Sequence, residues 1–215
     1  MRTIAARAMG LSADQLATAM AALAAAEPAF AAAIARVGMP APRIRARGYA
    51  TLLRTILGQQ VSVKAADSVW RKLEALVGDA GDPAAILRAS DDELRACGFS
   101  RQKASYARSL ADEVTSGRLD LEALPADDEE AIAALVRVKG IGRWSAEVYL
   151  LFAEGRADIW PAGDLAVQIE IGRILGHESR PSERLVRDLA EAWRPHRGAA
   201  AIFAWHHYGA EADPL

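Results

Sequence analysis

Apolar residues recur at three- and four-residue spacing along almost the whole chain, and no strand candidate stands out. Leu, Ala and Arg dominate, and helix punctuation divides the pattern. Ser12 and Gln15 form a capping box ahead of the Ala-rich run 13–26. Pro28 suits the first turn of a helix that ends near Gly38. Met39-Pro40-Ala41-Pro42 reads as a linker, Tyr49–Leu57 as a helix, and Ser62 as the cap of a helix reaching Leu76. Short helices at 84–88 and 91–96 lead to Gly98, and a longer one at 101–116 ends at Gly117. Asp127 or Asp128 opens a helix to Val136, another spans 143–153, and one starts at Asp164. Pro181-Ser182 and Pro195 punctuate the last two. No low-complexity linker separates two folding units. The expectation is one all-α domain over 1–215, a two-lobed helical bundle with a cleft between the lobes.

Composition narrows the chemistry. A single cysteine, Cys97, excludes an internal disulfide and any four-cysteine zinc or iron–sulfur site; before Gly98 it reads as a small buried residue. No apolar run reaches the ~18 residues that span a bilayer, and MRTIAARAMG has no apolar core with a cleavage site, so a cytoplasmic location is expected. The net charge of −2 does not announce a nucleic-acid binder. The cations are nearly all Arg, with Lys only at Lys64, Lys72, Lys103 and Lys139. Arg suits phosphate, although a GC-rich genome gives the same bias. A DNA-binding face must therefore be local. His206 and His207 are adjacent and His196 lies ten before His206, but no His-x-x-x-His pair or Cys partner accompanies them. A zinc site is not expected, and His206 reads as packing or bordering a pocket.

The most specific segment is Leu135-Val136-Arg137-Val138-Lys139-Gly140-Ile141-Gly142-Arg143-Trp144-Ser145-Ala146. Two glycines flank one apolar residue between two helices. Glycine permits positive φ and leaves amides uncovered, and amides at a helix start bind phosphate. Ile141 can pin the turn inward, while Lys139 and Arg143 flank it. The segment suits a sequence-independent grip on a DNA backbone. It equally suits a plain tight connection between helices.

This segment resembles the hairpin of the helix-hairpin-helix DNA glycosylase superfamily. Three further blocks, in family order, extend the resemblance over roughly 45–208: Ile56-Leu57-Gly58-Gln59-Gln60-Val61-Ser62, Gly98-Phe99-Ser100-Arg101-Gln102-Lys103-Ala104, and Trp193-Arg194-Pro195-His196-Arg197-Gly198-Ala199-Ala200. The first is similar to the 3-methyladenine glycosylase II branch. The resemblance implies a helix-hairpin-helix lobe over approximately 50–155, an active-site cleft between lobes, and N-terminal helices 12–38 packed on the lobe opposite the hairpin. It also implies the compact form of the family, without the β-containing lobe that some relatives carry.

The family's Gly/Pro loop and catalytic aspartate correspond to Ile159-Trp160-Pro161-Ala162-Gly163-Asp164, with Asp164 twenty residues past Trp144. Taken alone, Asp164 is an N-cap, and it can be both. A carboxylate beneath C1′ stabilises the oxocarbenium-like transition state and can orient or activate water. Trp144 stands where bifunctional members place the Lys that forms a Schiff base, so covalent imine chemistry is not expected. Trp144 and Trp205 match pocket tryptophans of the alkylbase branch, Trp160 is a further wall, and indole faces attract cationic bases. Core packing is the plain alternative for each Trp. Gln60 matches the wedge that fills the gap left by a flipped base. Gln59, Lys139, Gly140, Ile141, Gly142 and Arg143 are the implied DNA contacts. The carbonyls of Val136, Val138 and Ile141 are implied ligands of a monovalent cation, sodium or potassium, and no cofactor is required. Leu165 and Val148 replace aromatics found in some relatives, which implies a more open pocket.

The expectation is a monofunctional, monomeric N-glycosyl hydrolase of base excision repair, without membrane association. It would act on double-stranded DNA that contains alkylated bases: 3-methyladenine, with 7-methylguanine and 1-methyladenine as further substrates. The alternatives are a non-catalytic damage-binding hairpin protein and a glycosylase for oxidised or deaminated bases.

Overall fold

The computed structural model describes residues 10–212, and the N-terminal segment read above for a signal sequence lies largely outside the described residues. Among them the structure is helical, with no strand. The helices are α1 (Ala13–Ala26), α2 (Pro28–Val37), α3 (Tyr49–Gly58), α4 (Val63–Val77), α5 (Pro83–Arg88), α6 (Asp91–Ala96), α7 (Arg101–Thr115), α8 (Asp128–Val136), α9 (Arg143–Phe152), α10 (Leu165–Ile174), α11 (Glu183–Leu189) and α12 (Arg197–Ala212). A 3-10 turn, Ala190–Trp193, follows α11. No helix is long and apolar enough to cross a membrane among the described residues.

The caps explain most boundaries. Ser12 Oγ accepts the Gln15 N–H at 3.2 Å while Gln15 Oε1 accepts that of Ser12 at 2.9 Å. Ser62, Ser90, Ser100 and Ser182 each accept an N–H from the first turn of α4, α6, α7 and α11. Each such cap satisfies a donor that the helix itself leaves open.

The chain forms two compact units, and the boundary falls within α9 after Tyr149. The first unit is Ala46–Tyr149. In it α7 packs against α3, α5 and α6, and α3 against α4. Leu52, Leu53, Ile56, Ile86, Leu94, Ala107, Leu110 and Leu135 form a sealed core. Each large side chain among them contributes roughly 1.5–3 kcal/mol by leaving water.

The second unit comprises residues 10–45 and 150–212. Here α12 packs on α10, α1 and α2. Phe30 meets Trp193 edge-on at 5.2 Å and tilts against Phe203 at 5.9 Å. A buried polar chain ties α2, α10 and α12 together. Glu170, fully buried, pairs with Arg173 at 2.6 Å and with Nδ1 of the buried His207 at 2.5 Å. Nε2 of His207 faces Arg36 Nη2 at 2.5 Å. With an arginine N–H at Nε2, the ring proton sits on Nδ1, and the buried carboxylate has the partners its burial demands.

Candidate functional site

The hairpin belongs to the first unit. The Val138 N–H donates to Leu135 O and the Ile141 N–H to Val138 O, both at 3.1 Å. Val138 and Ile141 are buried and anchor the turn. Gly140 has φ +85°, and a Cβ there would lie 2.1 Å from Tyr106 Cδ2. Only glycine fits so close to a ring in that conformation. Lys139 is exposed, and its backbone N–H is held by Ser109 Oγ at 3.0 Å. Gly142 is open to solvent, and its carbonyl accepts the Ala146 N–H as α9 begins. The first N–H groups of such a helix have no intrahelical acceptor.

Arg143, expected at DNA, is held by two carboxylates of its own unit. Its guanidinium binds Glu129 through both terminal nitrogens, at 2.8 and 2.5 Å, and Glu147 through Nε at 2.9 Å. The hydrogen bonds to Glu129, then the charges of Glu147 and Glu129, push its pKa well above the ordinary arginine value. Two carboxylates thus compensate the charge of Arg143, whereas the other cation flanking the hairpin amides, Lys139, is exposed. The i,i+4 spacing of Arg143 and Glu147 was readable in the sequence; the approach of Glu129 was not.

Gln59 and Gln60 lie on the turn between α3 and α4. Gln60 is exposed and has φ +56°, the only positive φ at a non-glycine among the described residues. Strain of this kind persists where the surroundings impose it. Gln59, expected at DNA, donates from Nε2 to the Gly140 carbonyl at 2.7 Å. Sequence reasoning gave no role to Lys103, whose Nζ donates to Leu57 O at 2.6 Å.

Asp164 belongs to the second unit, at the N-terminus of α10. Its Oδ1 accepts the Val167 N–H at 2.9 Å, and its own N–H donates to Pro161 O at 2.9 Å. Buried Gln168 holds the preceding loop by donating to Ala162 O at 2.8 Å. Further back, Asp158 takes Arg197 through Nε and Nη2, both at 2.9 Å, and Arg194 at 2.5 Å. The Gly198 N–H donates to Ala157 O at 2.8 Å. The Trp-Arg-Pro-x-Arg-Gly block therefore fastens the loop that leads to Asp164.

The tryptophans separate into two kinds. Trp144 is 48 % exposed on the first turn of α9. Trp205 is half-buried, tilted against Phe152 at 5.6 Å. Trp160 corrects its expected role as a pocket wall. It is 4 % exposed, meets Trp193 edge-on at 5.6 Å, and donates its indole N–H to Val186 O at 3.2 Å. It is a core residue with its polar group satisfied, and it presents no face to a base. His206 rests on the Val37 carbonyl at 3.0 Å. No group of three or more His, Cys, Asp or Glu is placed to hold a metal ion among the described residues.

Residues 53–195, which contain the hairpin, the Gln59–Gln60 turn and Asp164, match the family profile of the HhH-GPD superfamily base excision DNA repair protein. The chain belongs to that superfamily. It is 32 % identical over 161 residues to DNA-3-methyladenine glycosylase 1 of Schizosaccharomyces pombe, covering 73 % of this chain and 71 % of that protein. It is 27 % identical over 195 residues to DNA-3-methyladenine glycosylase 2 of Escherichia coli, covering 84 % and 66 %. The crystal structure of a DNA-3-methyladenine glycosidase from Bacillus halodurans superposes with a TM-score of 0.78 at 29 % identity, over 96 % of this chain and 94 % of that one. The S. pombe 3-methyladenine DNA glycosylase in complex with abasic DNA gives a TM-score of 0.72 at 29 % identity, over 89 % and 95 %. Within the HhH-GPD frame, the hairpin amides, Lys139 and the strained Gln60 turn are the parts suited to a DNA backbone, and Asp164 is the rigidly held carboxylate.

Proposed function

We propose that this HhH-GPD protein is a monofunctional DNA glycosylase that removes alkylated bases, 3-methyladenine foremost, from double-stranded DNA during base excision repair. The observation that carries the reading is Asp164, whose carboxylate is fixed by the Val167 N–H at the end of a braced loop inside the family match. The relatives named for 3-methyladenine, and the likeness to a glycosylase bound to abasic DNA, support the substrate class.

The chemistry follows from a base extruded from the stack. The C1′–N bond breaks with its electron pair leaving on the base, and the positive charge of an alkylated purine makes it a good leaving group. Asp164 stabilises the cationic sugar and orients the water whose oxygen bonds C1′. The water's proton passes to the carboxylate or to solvent. Trp144 offers an indole face to an electron-poor base, and Trp205 is the second indole assigned to this recognition. Gln60 fills the gap in the duplex. Trp144 has no amine, so the strand is left intact.

The hairpin also suits a monovalent cation. The Val138 carbonyl accepts the Ile141 N–H at 3.1 Å, and a carbonyl oxygen has two lone pairs. Together with the carbonyls of Val136 and Ile141, it is the neutral oxygen set that sodium or potassium prefers. Such an ion would supply charge to a DNA phosphate; the reaction itself needs no cofactor. The enzyme acts as a monomer in this reading.

The test is base release from methylated duplex DNA by wild type and Asp164→Asn, with the free bases identified by chromatography. Release of 3-methyladenine by wild type alone is expected. A wild type that binds the duplex and releases no methylated base removes the assignment, and release of oxidised or deaminated bases would redirect it.

A further inference from the structure

The Gln60 turn is held from two sides within the first unit. On one side, Lys103 Nζ reaches the Leu57 carbonyl at 2.6 Å, at the end of α3. The Gly98-Phe99-Ser100 segment sets that reach: Gly98 turns the chain at φ +101°, and Ser100 Oγ caps α7 through the Lys103 N–H at 3.1 Å. A cation at a helix C-terminus meets carbonyls that lack intrahelical donors and the negative end of the helix dipole. On the other side, Gln59 Nε2 donates to the Gly140 carbonyl at 2.7 Å and joins the turn to the hairpin. Between the two anchors stands Gln60 with φ +56°. A left-handed glutamine relaxes unless its neighbours are fixed. Partial burial lowers the Lys103 pKa, as expected for a cation drawn away from water to serve a carbonyl.

From this geometry we infer that Lys103 and Gln59 are positioning residues that lock the Gln60 turn against the hairpin, so that wedge and backbone grip engage DNA as one rigid part. Gln59 acts through the Gly140 carbonyl and not through a direct DNA contact. The inference rests on the glycosylase reading for its consequence, but the lock is a property of the free protein. Its loss raises the cost of prising a paired base from the duplex. It does not alter attack on a base that is already unstacked, because flipping is then largely done.

The test uses the full chain with Lys103→Met and Gln59→Met, which keep length and remove the donors. In the free protein, amide exchange across 58–62 and 139–142 is expected to speed about tenfold in each variant, the factor that one charge-assisted or buried hydrogen bond supplies. Base release is then compared between a methylated base paired in duplex and the same base in a single-nucleotide bulge. The paired substrate is expected to slow about tenfold, and the bulged one by less than about twofold. Unchanged exchange in either segment overturns the lock, whether or not the protein releases bases. Equal slowing on both substrates, with a fall in melting temperature, overturns the positioning role in favour of a general stabilising one. A wild type inactive on both substrates defeats the glycosylase reading, while the exchange result still decides the lock.

Discussion

The carboxylate of Glu129 grips Arg143 by both terminal guanidinium nitrogens, at 2.8 and 2.5 Å, beside the amides that open α9. The side chains are 43 % and 67 % exposed, so the pair adds little stability, but in the proposed reading it cancels a positive charge where a DNA phosphate would approach. Glu129→Gln is expected to change stability by less than about 1 kcal/mol. Affinity for undamaged duplex is expected to rise several-fold, and its salt dependence to steepen by up to roughly 0.9 in log–log slope, one extra phosphate contact. Titration at several salt concentrations reads both. Weaker binding would mean that Glu129 aims Arg143 at the phosphate instead of withholding it.

Gly140 sits under the Tyr106 ring with no room for a side chain. Gly140→Ala must meet both the clash and the positive φ, and a loss of roughly 2–4 kcal/mol is expected. Adding Tyr106→Ala removes the clash and leaves only the conformational cost of about 1 kcal/mol, less what the lost ring contributed. The discriminating quantity is the double-mutant coupling, which is expected to be favourable. Additive losses would show that the ring and the turn do not press on each other.

What was legible in the sequence, and what was not, divides by range. The capping serines, Asp164 as N-cap, and the glycine-limited hairpin are local, because cap and turn chemistry acts within about four residues. The observed helix ends lie close to those signals. The Trp160 environment, the Gln59–Gly140 bond and the Arg143–Glu129 pair are not local. They join residues 26, 81 and 14 positions apart. A tryptophan carries the same letter in a core as on a binding face, and no spacing shows that Trp160 turns its indole to Val186. Likewise, the cationic flank of the hairpin was read from Lys139 and Arg143 alike, and only the fold shows that one of them is already paired. The loop before Asp164 was read as a family segment; its fastening through Asp158 and Arg197 is a tertiary fact.

Tyr49 begins α3 with its hydroxyl buried and without a hydrogen-bond partner among the described residues. Burial, with the charge of Asp82 adding to it, raises its pKa far above the ordinary phenol value. The folded state thus favours the neutral phenol. Its contribution is fully present below the unfolded value of about 10 and is lost as pH rises beyond it. Tyr49→Phe is expected to gain roughly 1 kcal/mol at neutral pH by removing an unsatisfied hydroxyl. It is also expected to flatten the fall in melting temperature above about pH 10. Melting curves at pH 7 and pH 10.5 compare the two proteins. A variant that melts lower at both would show that the hydroxyl has a partner in solution.

Asp164 is an observed N-cap and the carboxylate assigned to catalysis in the proposed reading, and substitution separates the two duties. As N-cap it offers Oδ1 to the Val167 N–H at 2.9 Å, a role any short polar side chain with an acceptor can fill. In the proposed catalysis it would carry negative charge toward a cationic sugar, which an amide cannot do. Asp164→Asn is therefore expected to keep the stability within about 1 kcal/mol of wild type while losing base release by a factor of a hundred or more, on the order of 10²–10³. Asp164→Ala is expected to lose both, with about 1 kcal/mol of capping energy appearing as a drop of roughly 2–4 °C for a chain of this size. Duplex binding should survive in both variants, because the amides and Lys139 to which the proposed reading assigns the backbone grip lie in the other unit. If Asp164→Asn released bases at the wild-type rate, the carboxylate would be a cap alone, and the search for the catalytic charge would move to the remaining acids of the second unit.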